Sequence, residues 1–427
     1  MIRVLKDKTD ILKFIAENEV RGSGDNSEVE KDVRLIIENV RKNGDEAVRE
    51  YTVKWDCPNS LYYKVPDEVI GEAYENTEPK LINVLKRCKE KIEAYHIAQK
   101  RENIVIEQED GVVLKQLIRP LDKIGIYVPG GTAPLISTVL MCAIPAKVAG
   151  VGEIIMTTPP QKDGSPNSDV LAAAKLCGVD KVFLCGGAQA IAALAYGTKE
   201  IPRVSKIVGP GRDYVAVAKK HVFGAVDIDM IAGPSEILII ADETANPRFI
   251  AADLLSQVEH DVKASAVLIT TSEALADAVN SELEKQLAEL ERSDIATQSL
   301  RDYSGIIIVK SDDEAIKWAD LIAPEHLEIM TKQPLDFEEK LKNYGSLFLG
   351  EYSPEPLGDY FAGTNHVLPT NGTARFSSPL SVDDFIKKSS SIFYTKDALE
   401  KAAGTIITVA ECEGLDAHAK SIKIRMT

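Results

Sequence analysis

The chain has 427 residues with 44% hydrophobic content, a size that suits two to three domains with real cores. Its 66 acidic and 50 basic residues leave a formal net charge of -16, which argues against a general nucleic-acid or anionic-membrane binder and demands local shielding of any anionic cofactor. Six scattered cysteines without a C-x-x-C pair, a charge-mixed start and the lack of any bilayer-length apolar run point to a soluble cytoplasmic protein with reduced thiols, without a disulfide framework or a thiolate zinc site.

Residues 1–21 read as an N-terminal arm. From residue 28 to 103, apolar side chains recur at helical spacing, as in Val33, Leu35, Ile36 and Val40 and then Val69, Ala73, Leu81, Val84 and Leu85, with Gly44 and Pro66 as punctuation. From about residue 124, short β-branched runs alternate with alanine-rich stretches. Strands are expected at 124–128, 154–157, 181–184 and 206–208, with helices such as 135–149 and 168–177 between them. A second set follows, with strands at 236–241, 265–270, 305–309 and 346–349 and helices near 248–259, 273–292 and 312–320. Such alternation implies α/β units with parallel sheets covered on both faces. The helical section lacks strands of its own and is expected to pack on the second unit. The division is then 1–21; 22–126 with 235–380 as a discontinuous first domain; 127–234 as an inserted second domain; and 381–427 as a helical tail too small to hold a core alone.

The chain's few histidines fall in dense polar clusters. Gln257-Val258-Glu259-His260 sits on a predicted helix, where residues three apart share a face and can act as metal ligands, although a lone helical imidazole is more often a hydrogen-bonded surface or core residue. Glu325-His326 follows Pro324, which biases Ala323 toward an extended conformation and favours a loop carrying two proton-transfer groups. The bland alternative is that Pro-Glu starts a helix. Residues 351–381 form a long aperiodic stretch containing Gly358-Asp359-Tyr360 and Gly363-Thr364-Asn365-His366, an ordered functional loop by its aromatic and histidine content. His96 and His221 read as ordinary structural histidines. Gly150-Val151-Gly152-Glu153 and Gly209-Pro210-Gly211-Arg212 each lack the third glycine of a dinucleotide fingerprint. Tyr127-Val128-Pro129-Gly130-Gly131-Thr132-Ala133-Pro134 follows a strand and enters a helix, so it is either a phosphate-facing loop or a tight turn. H-E-x-x-H is absent, which weakens a zinc protease reading.

Taken together, Tyr127-Val128-Pro129-Gly130-Gly131, Gly186-Gly187-Ala188-Gln189, Ala232-Gly233-Pro234-Ser235-Glu236, Leu254-Leu255-Ser256-Gln257-Val258-Glu259-His260, Ala323-Pro324-Glu325-His326-Leu327 and Gly363-Thr364-Asn365-His366-Val367-Leu368-Pro369-Thr370 resemble the histidinol dehydrogenase family. The resemblance implies two incomplete Rossmann-like parallel-sheet domains with a helical N-terminal arm and a helical C-terminal tail. It further implies zinc- and NAD-dependent oxidation of L-histidinol through the aldehyde to L-histidine, with zinc ligands at Gln257, His260, Asp359 and His418 and proton acceptors at Glu325 and His326. Substrate contacts fall on Ser235 and Glu413 besides His326 and the metal ligands, and cofactor contacts on Tyr127, Gln189 and Arg212. Arg212 replaces the family's usual asparagine, and a guanidinium cannot accept a hydrogen bond as an amide does. The resemblance also implies a homodimer in which the tail of one copy brings Glu413 and His418 to the other's site. Oxidation of another small polar alcohol such as a sulfonated diol, zinc-dependent hydrolysis without NAD, and ligand binding without catalysis are the competing readings.

Overall fold

The computed structural model describes residues 2–21, 27–130 and 135–426. Of the sequence motifs, the segment Gly131-Thr132-Ala133-Pro134 lies outside the described residues. Among the described residues, fourteen strands run in chain order as β1 (Arg3–Leu5), β2 (Ile104–Glu107), β3 (Val113–Pro120), β4 (Lys123–Tyr127), β5 (Glu153–Thr158), β6 (Lys181–Leu184), β7 (Lys206–Val208), β8 (Asp227–Ile228), β9 (Glu236–Ala241), β10 (Ser265–Thr270), β11 (Gly305–Ile308), β12 (His326–Met330), β13 (Ser346–Leu349) and β14 (Ile386–Phe393).

Two wholly parallel sheets lie in one compact unit, residues 1–99 and 121–385. The first has the order β6-β5-β4-β7-β8 and the second β1-β11-β10-β9-β12-β13. Each is doubly wound, with its order reversing between β4 and β7 in one and between β9 and β12 in the other. Both faces of each sheet are apolar, which is why the strands read as unbroken β-branched runs rather than alternating ones. In β5, Ile154 and Met156 enter one core and Ile155 the opposite one. In β9, Ile237 and Ile239 face one core and Leu238 and Ile240 the other.

The N-terminal helical section departs from expectation. Val33, Ile36, Ile37 and Val40 of helix Ser27–Asn43 pack with Ile155, Phe183 and Ile207, and Leu85, Cys88 and Ile92 of helix Pro79–Ile97 pack with Ile124, Ile154 and Val182. These helices therefore cover the five-stranded sheet, whose two large apolar faces need more cover than its own crossover helices give. Only the first residues serve the six-stranded sheet: β1 extends its edge, and Ile11, Phe14 and Ile15 of helix Lys8–Glu19 cover it. Trp318 of helix Asp312–Ile322 is buried in the same core.

The second unit comprises residues 100–120 and 386–427. Its three strands form an antiparallel sheet of order β14-β3-β2, and helices Lys396–Cys412 and Asp416–Lys423 follow. Between a short 3-10 turn at Val382–Phe385 and its two α-helices, the expected helical tail thus contains an eight-residue strand, which pairs with β3 along its whole length.

Candidate active site

The amino ends of β9 and β12 carry the densest chemistry. Glu325 immediately precedes β12, and His326 is its first residue, paired in register with Ile237 and Ser346. The expected loop is therefore a central strand of the six-stranded sheet. Ala323 is not extended either: it ends helix Asp312–Ile322 in the left-handed region, at φ 51°. Pro324 follows that helix cap, so the helix termination and not the proline bias sets the geometry there.

His326 Nδ1 lies 3.1 Å from the Glu236 carbonyl oxygen, a group that can only accept. The proton therefore sits on Nδ1, and Nε2 presents a free lone pair. Burial pushes the imidazole down to about 4, so it is held neutral, as a proton acceptor must be. Glu325 Oε2 accepts from the Glu236 backbone N–H at 3.0 Å and lies 3.8 Å from His326 Nδ1. Burial first, and then the negative charge of Glu236, hold Glu325 well above the usual carboxylate range. The guanidinium of Arg21, itself buried, pairs with Glu236 at 2.8 Å behind these groups.

Around Nε2 the structure gathers acceptors. Glu355 Oε1 lies 3.8 Å and Asp359 Oδ1 3.9 Å from it. Ligand atoms of His326, Glu355 and Asp359 all fall within 4.8 Å of one another, the one such metal-capable group among the described residues. Asp359 is not in an open loop but near the end of helix Glu355–Tyr360, whose first N–H donates to Glu328 Oε1 at 2.7 Å. Burial raises Glu355, Glu328 and Asp253; the charge of Asp359 raises Glu355 further and that of Asp253 raises Glu328 further, while the hydrogen bond with Glu328 partly offsets the rise at Asp253. His366 Nδ1 stands 3.2 Å from the Asp359 carbonyl oxygen and 3.7 Å from its carboxylate.

Gln257 is the penultimate residue of helix Pro247–Val258 and is buried, while His260 lies beyond the helix end, exposed, with its N–H on the Gln257 carbonyl at 3.1 Å. The shared helical face expected for this pair is thus replaced by a turn that carries His260 toward the site, near enough to hold the His326 imidazole down electrostatically. Ser235, one residue before β9, lines a cleft of about 1020 Å³ together with His260 and Arg212.

Two features show that the interior suits a cation. Gln257 Oε1 and His326 Nε2 are both buried without a hydrogen-bond partner. Orphaned acceptors of this kind are costly unless something electropositive meets them. The amide oxygen of Gln257, the carboxylate of Asp359 and the imidazole of His260 are N/O donors of the kind that hold a divalent transition metal such as zinc.

Glu355 was missed in the sequence, yet the signal was there: it stands four residues before Asp359, one helical turn away. Glu328, two residues after His326 and so on the same strand face, was the second signal. Glu413 and His418 belong to the other compact unit, where both are exposed, at the end of helix Lys396–Cys412 and within helix Asp416–Lys423.

Of the candidate cofactor residues, Gln189 and Arg212 border clefts. Tyr127 ends β4, and its hydroxyl accepts from the Gly187 N–H at 3.2 Å. Gln189 is buried and donates to Asp56 Oδ2 at 3.3 Å, an oxygen that also accepts from Gly186 N–H at 2.9 Å. Gln189 lines a cleft of about 650 Å³ beside Tyr51, Trp55 and Tyr214, with Tyr51 and Trp55 stacked at 4.7 Å. Arg212 lines the larger cleft instead. The turn after β7 thus lines the larger cleft, and Tyr214, in the first turn of the helix that follows it, lines the smaller.

A family profile described as histidinol dehydrogenase matches residues 19–426. The histidinol dehydrogenase of Clostridium acetobutylicum is 54% identical over 100% of this chain and 99% of its own length, and that of Listeria innocua is 53% identical over 96% of each. Among solved structures, the histidinol dehydrogenase of Elizabethkingia anophelis superposes with a TM-score of 0.88 at 40% identity, covering 93% of this chain and 92% of its own.

Proposed function

Because the chain belongs to the histidinol dehydrogenase family and is an enzyme of that kind, we propose that it oxidises L-histidinol through L-histidinal to L-histidine in histidine biosynthesis, consuming two NAD, with zinc at its active centre. The observation that supports this most is a pair of desolvated, unpartnered acceptors: the neutral His326 Nε2, grouped with Glu355 and Asp359, and the amide oxygen Gln257 Oε1.

In this reading Gln257, His260 and Asp359 hold the metal together with His418, which comes, with Glu413, from the tail of a neighbouring copy in a homodimer. When bound, zinc supplies a Lewis-acidic template for the substrate's amino and imidazole nitrogens. Ser235, Glu413 and the ligand residues orient the rest of the substrate, and holding the aldehyde in place keeps it from solvent. His326 Nε2 takes the hydroxyl proton in the first oxidation. Its Nδ1–H contact to the Glu236 carbonyl fixes the ring and the tautomer for that task. Glu325 assists addition of water to the aldehyde, and His326 accepts a proton again in the second oxidation. Burial of Glu325, and then the charge of Glu236, raise its affinity for protons above that of an ordinary carboxylate, the direction that favours a base over a spectator anion.

The inserted segment 127–234 is the NAD-binding part, through Tyr127, Gln189 and Arg212, and segment 235–380 carries the zinc and acid/base residues. No helix among the described residues is long and apolar enough to cross a membrane, which agrees with a cytoplasmic setting. The test is NADH absorbance with histidinol before and after chelation. NADH formation that is lost on chelation and restored by zinc is the expected result. Turnover of histidinol without NAD, or NADH formation from a sulfonated diol in preference to histidinol, would refute the assignment.

A further inference from the structure

Lys219 is almost wholly withdrawn from solvent, only 2% exposed, and the catalytic scheme makes no use of it. It lies on helix Asp213–Val222, two turns after the helix starts. Helical side chains lean toward the N-terminus, so its four-carbon stem reaches back to the turn that precedes the helix. There Nζ donates to the Gly209 carbonyl oxygen at 3.0 Å and pairs with Asp229 Oδ1. Asp229, just after β8, is as deeply buried, and its Oδ2 accepts from the Gly209 N–H at 2.8 Å. Its Oδ1 also accepts from the Met230 N–H at 2.6 Å.

The backbone of Gly209 is thus gripped at both ends, by the carboxylate on its N–H and by the ammonium on its carbonyl. The residue is also sterically committed. Its φ is +112°, and a Cβ there would lie 2.2 Å from the Tyr127 carbonyl oxygen. Gly209 opens the turn Gly209-Pro210-Gly211-Arg212, whose Arg212 borders the 1020 Å³ cleft and whose neighbour Tyr214 borders the 650 Å³ cleft beside Gln189. A buried ion pair is seldom retained for stability, since an apolar pair of the same volume is often no worse. It does fix geometry when its remaining hydrogen-bond capacity is spent on one backbone segment.

We propose that the buried Lys219–Asp229 pair is a positioning device for the cofactor: it clamps Gly209 so that the turn is already shaped, before ligand arrives, to bring its backbone and Arg212 against the dinucleotide next to Tyr127 and Gln189. This rests on the assignment of NAD to that turn. Lys219 and Asp229 touch no cofactor themselves and act through Gly209.

The test compares NADH binding, read by fluorescence titration of the zinc-loaded enzyme, in wild type, in Lys219→Met/Asp229→Asn and in Lys206→Met. The double variant removes both charges without stranding either. Lys206 is a control of similar kind: it is buried at the opposite end of the strand that leads into the turn and paired with Asp227 at 3.1 Å and Asp384 at 3.2 Å, without touching Gly209 in any hydrogen bond. The expected result is a roughly tenfold weaker NADH affinity in the double variant, with kcat at saturating NAD and KM for histidinol close to wild type, while the Lys206 variant loses thermal stability and keeps its affinity. Unchanged NADH affinity in a folded double variant, or an equal loss in both variants, would overturn the proposal. Failure of wild type to bind NADH would instead overturn the cofactor assignment. A measurement on wild type alone covers a double variant that does not fold: hydrogen exchange at Gly209 should be slow without NADH and little changed by it. Fast exchange that NADH suppresses would show that the turn is not pre-shaped.

Discussion

Replacing Gln257 by leucine should make the metal-free enzyme more stable and the metal-loaded enzyme less so. Gln257 is 1% exposed, and its Oε1 has no partner. A buried acceptor left unsatisfied costs about 1–3 kcal/mol. Leucine has a similar volume and helix propensity, and its different branching costs under about 1.5 kcal/mol in a packed site. The metal-free variant should therefore gain about 1 kcal/mol. The sign reverses with the ion present. At a hundredfold excess over the dissociation constant, a ligand that binds only the native state stabilises by about 2.7 kcal/mol. If loss of the amide oxygen weakens the site about a hundredfold, the same free zinc yields only about 0.4 kcal/mol. Urea unfolding in chelator and in zinc buffer measures both quantities, and the two stability orders should cross. A metal-free variant weaker than wild type by 1 kcal/mol or more, or a zinc-induced shift as large as that of wild type, would refute the argument that this oxygen waits for a cation.

Two further outcomes test the proton and subunit assignments. Glu325→Gln should slow oxidation of supplied histidinal by about 10²–10⁴ while slowing the alcohol step far less, because only the aldehyde must be hydrated; equal losses would remove Glu325 from that role. Chains carrying His326→Ala and His418→Ala, each inactive alone, should regain about a quarter of wild-type activity when unfolded and refolded together, since half the random dimers have one intact site of two. No recovery would count against sharing of the tail.

The parallel sheets were legible because their strands are buried on both faces: 181–184, 206–208, 236–241, 265–270 and 346–349 are observed with the boundaries the sequence suggests. What sequence could not show is mostly non-local. The β12 strand was read as a loop because Pro324 and the polar Glu325-His326-Leu327-Glu328 pattern mask it, and only the partners β9 and β13 on either side make it a strand. In β2, Ile104, Val105 and Ile106 are all exposed, so no alternation marks it against the helices before it. The destination of the N-terminal helices depends on which sheet has bare apolar area, which no single segment records. The residue types proposed for the site rest on family resemblance, and of them the fold groups His326 with Asp359. The electrostatics of the site were not legible, because the raised carboxyls and lowered imidazole come from burial and from charges brought together across the fold.

The chain holds only two tryptophans, and they occupy opposite environments. Trp318 is 8% exposed inside the six-stranded core, while Trp55 is 49% exposed, stacked on Tyr51 at the rim of the Gln189 cleft. The molecule therefore contains two optical probes that answer separate questions without any label. Blue-shifted emission from Trp318 follows the integrity of the interior, and emission from Trp55, quenchable from solution, follows events at the cleft rim.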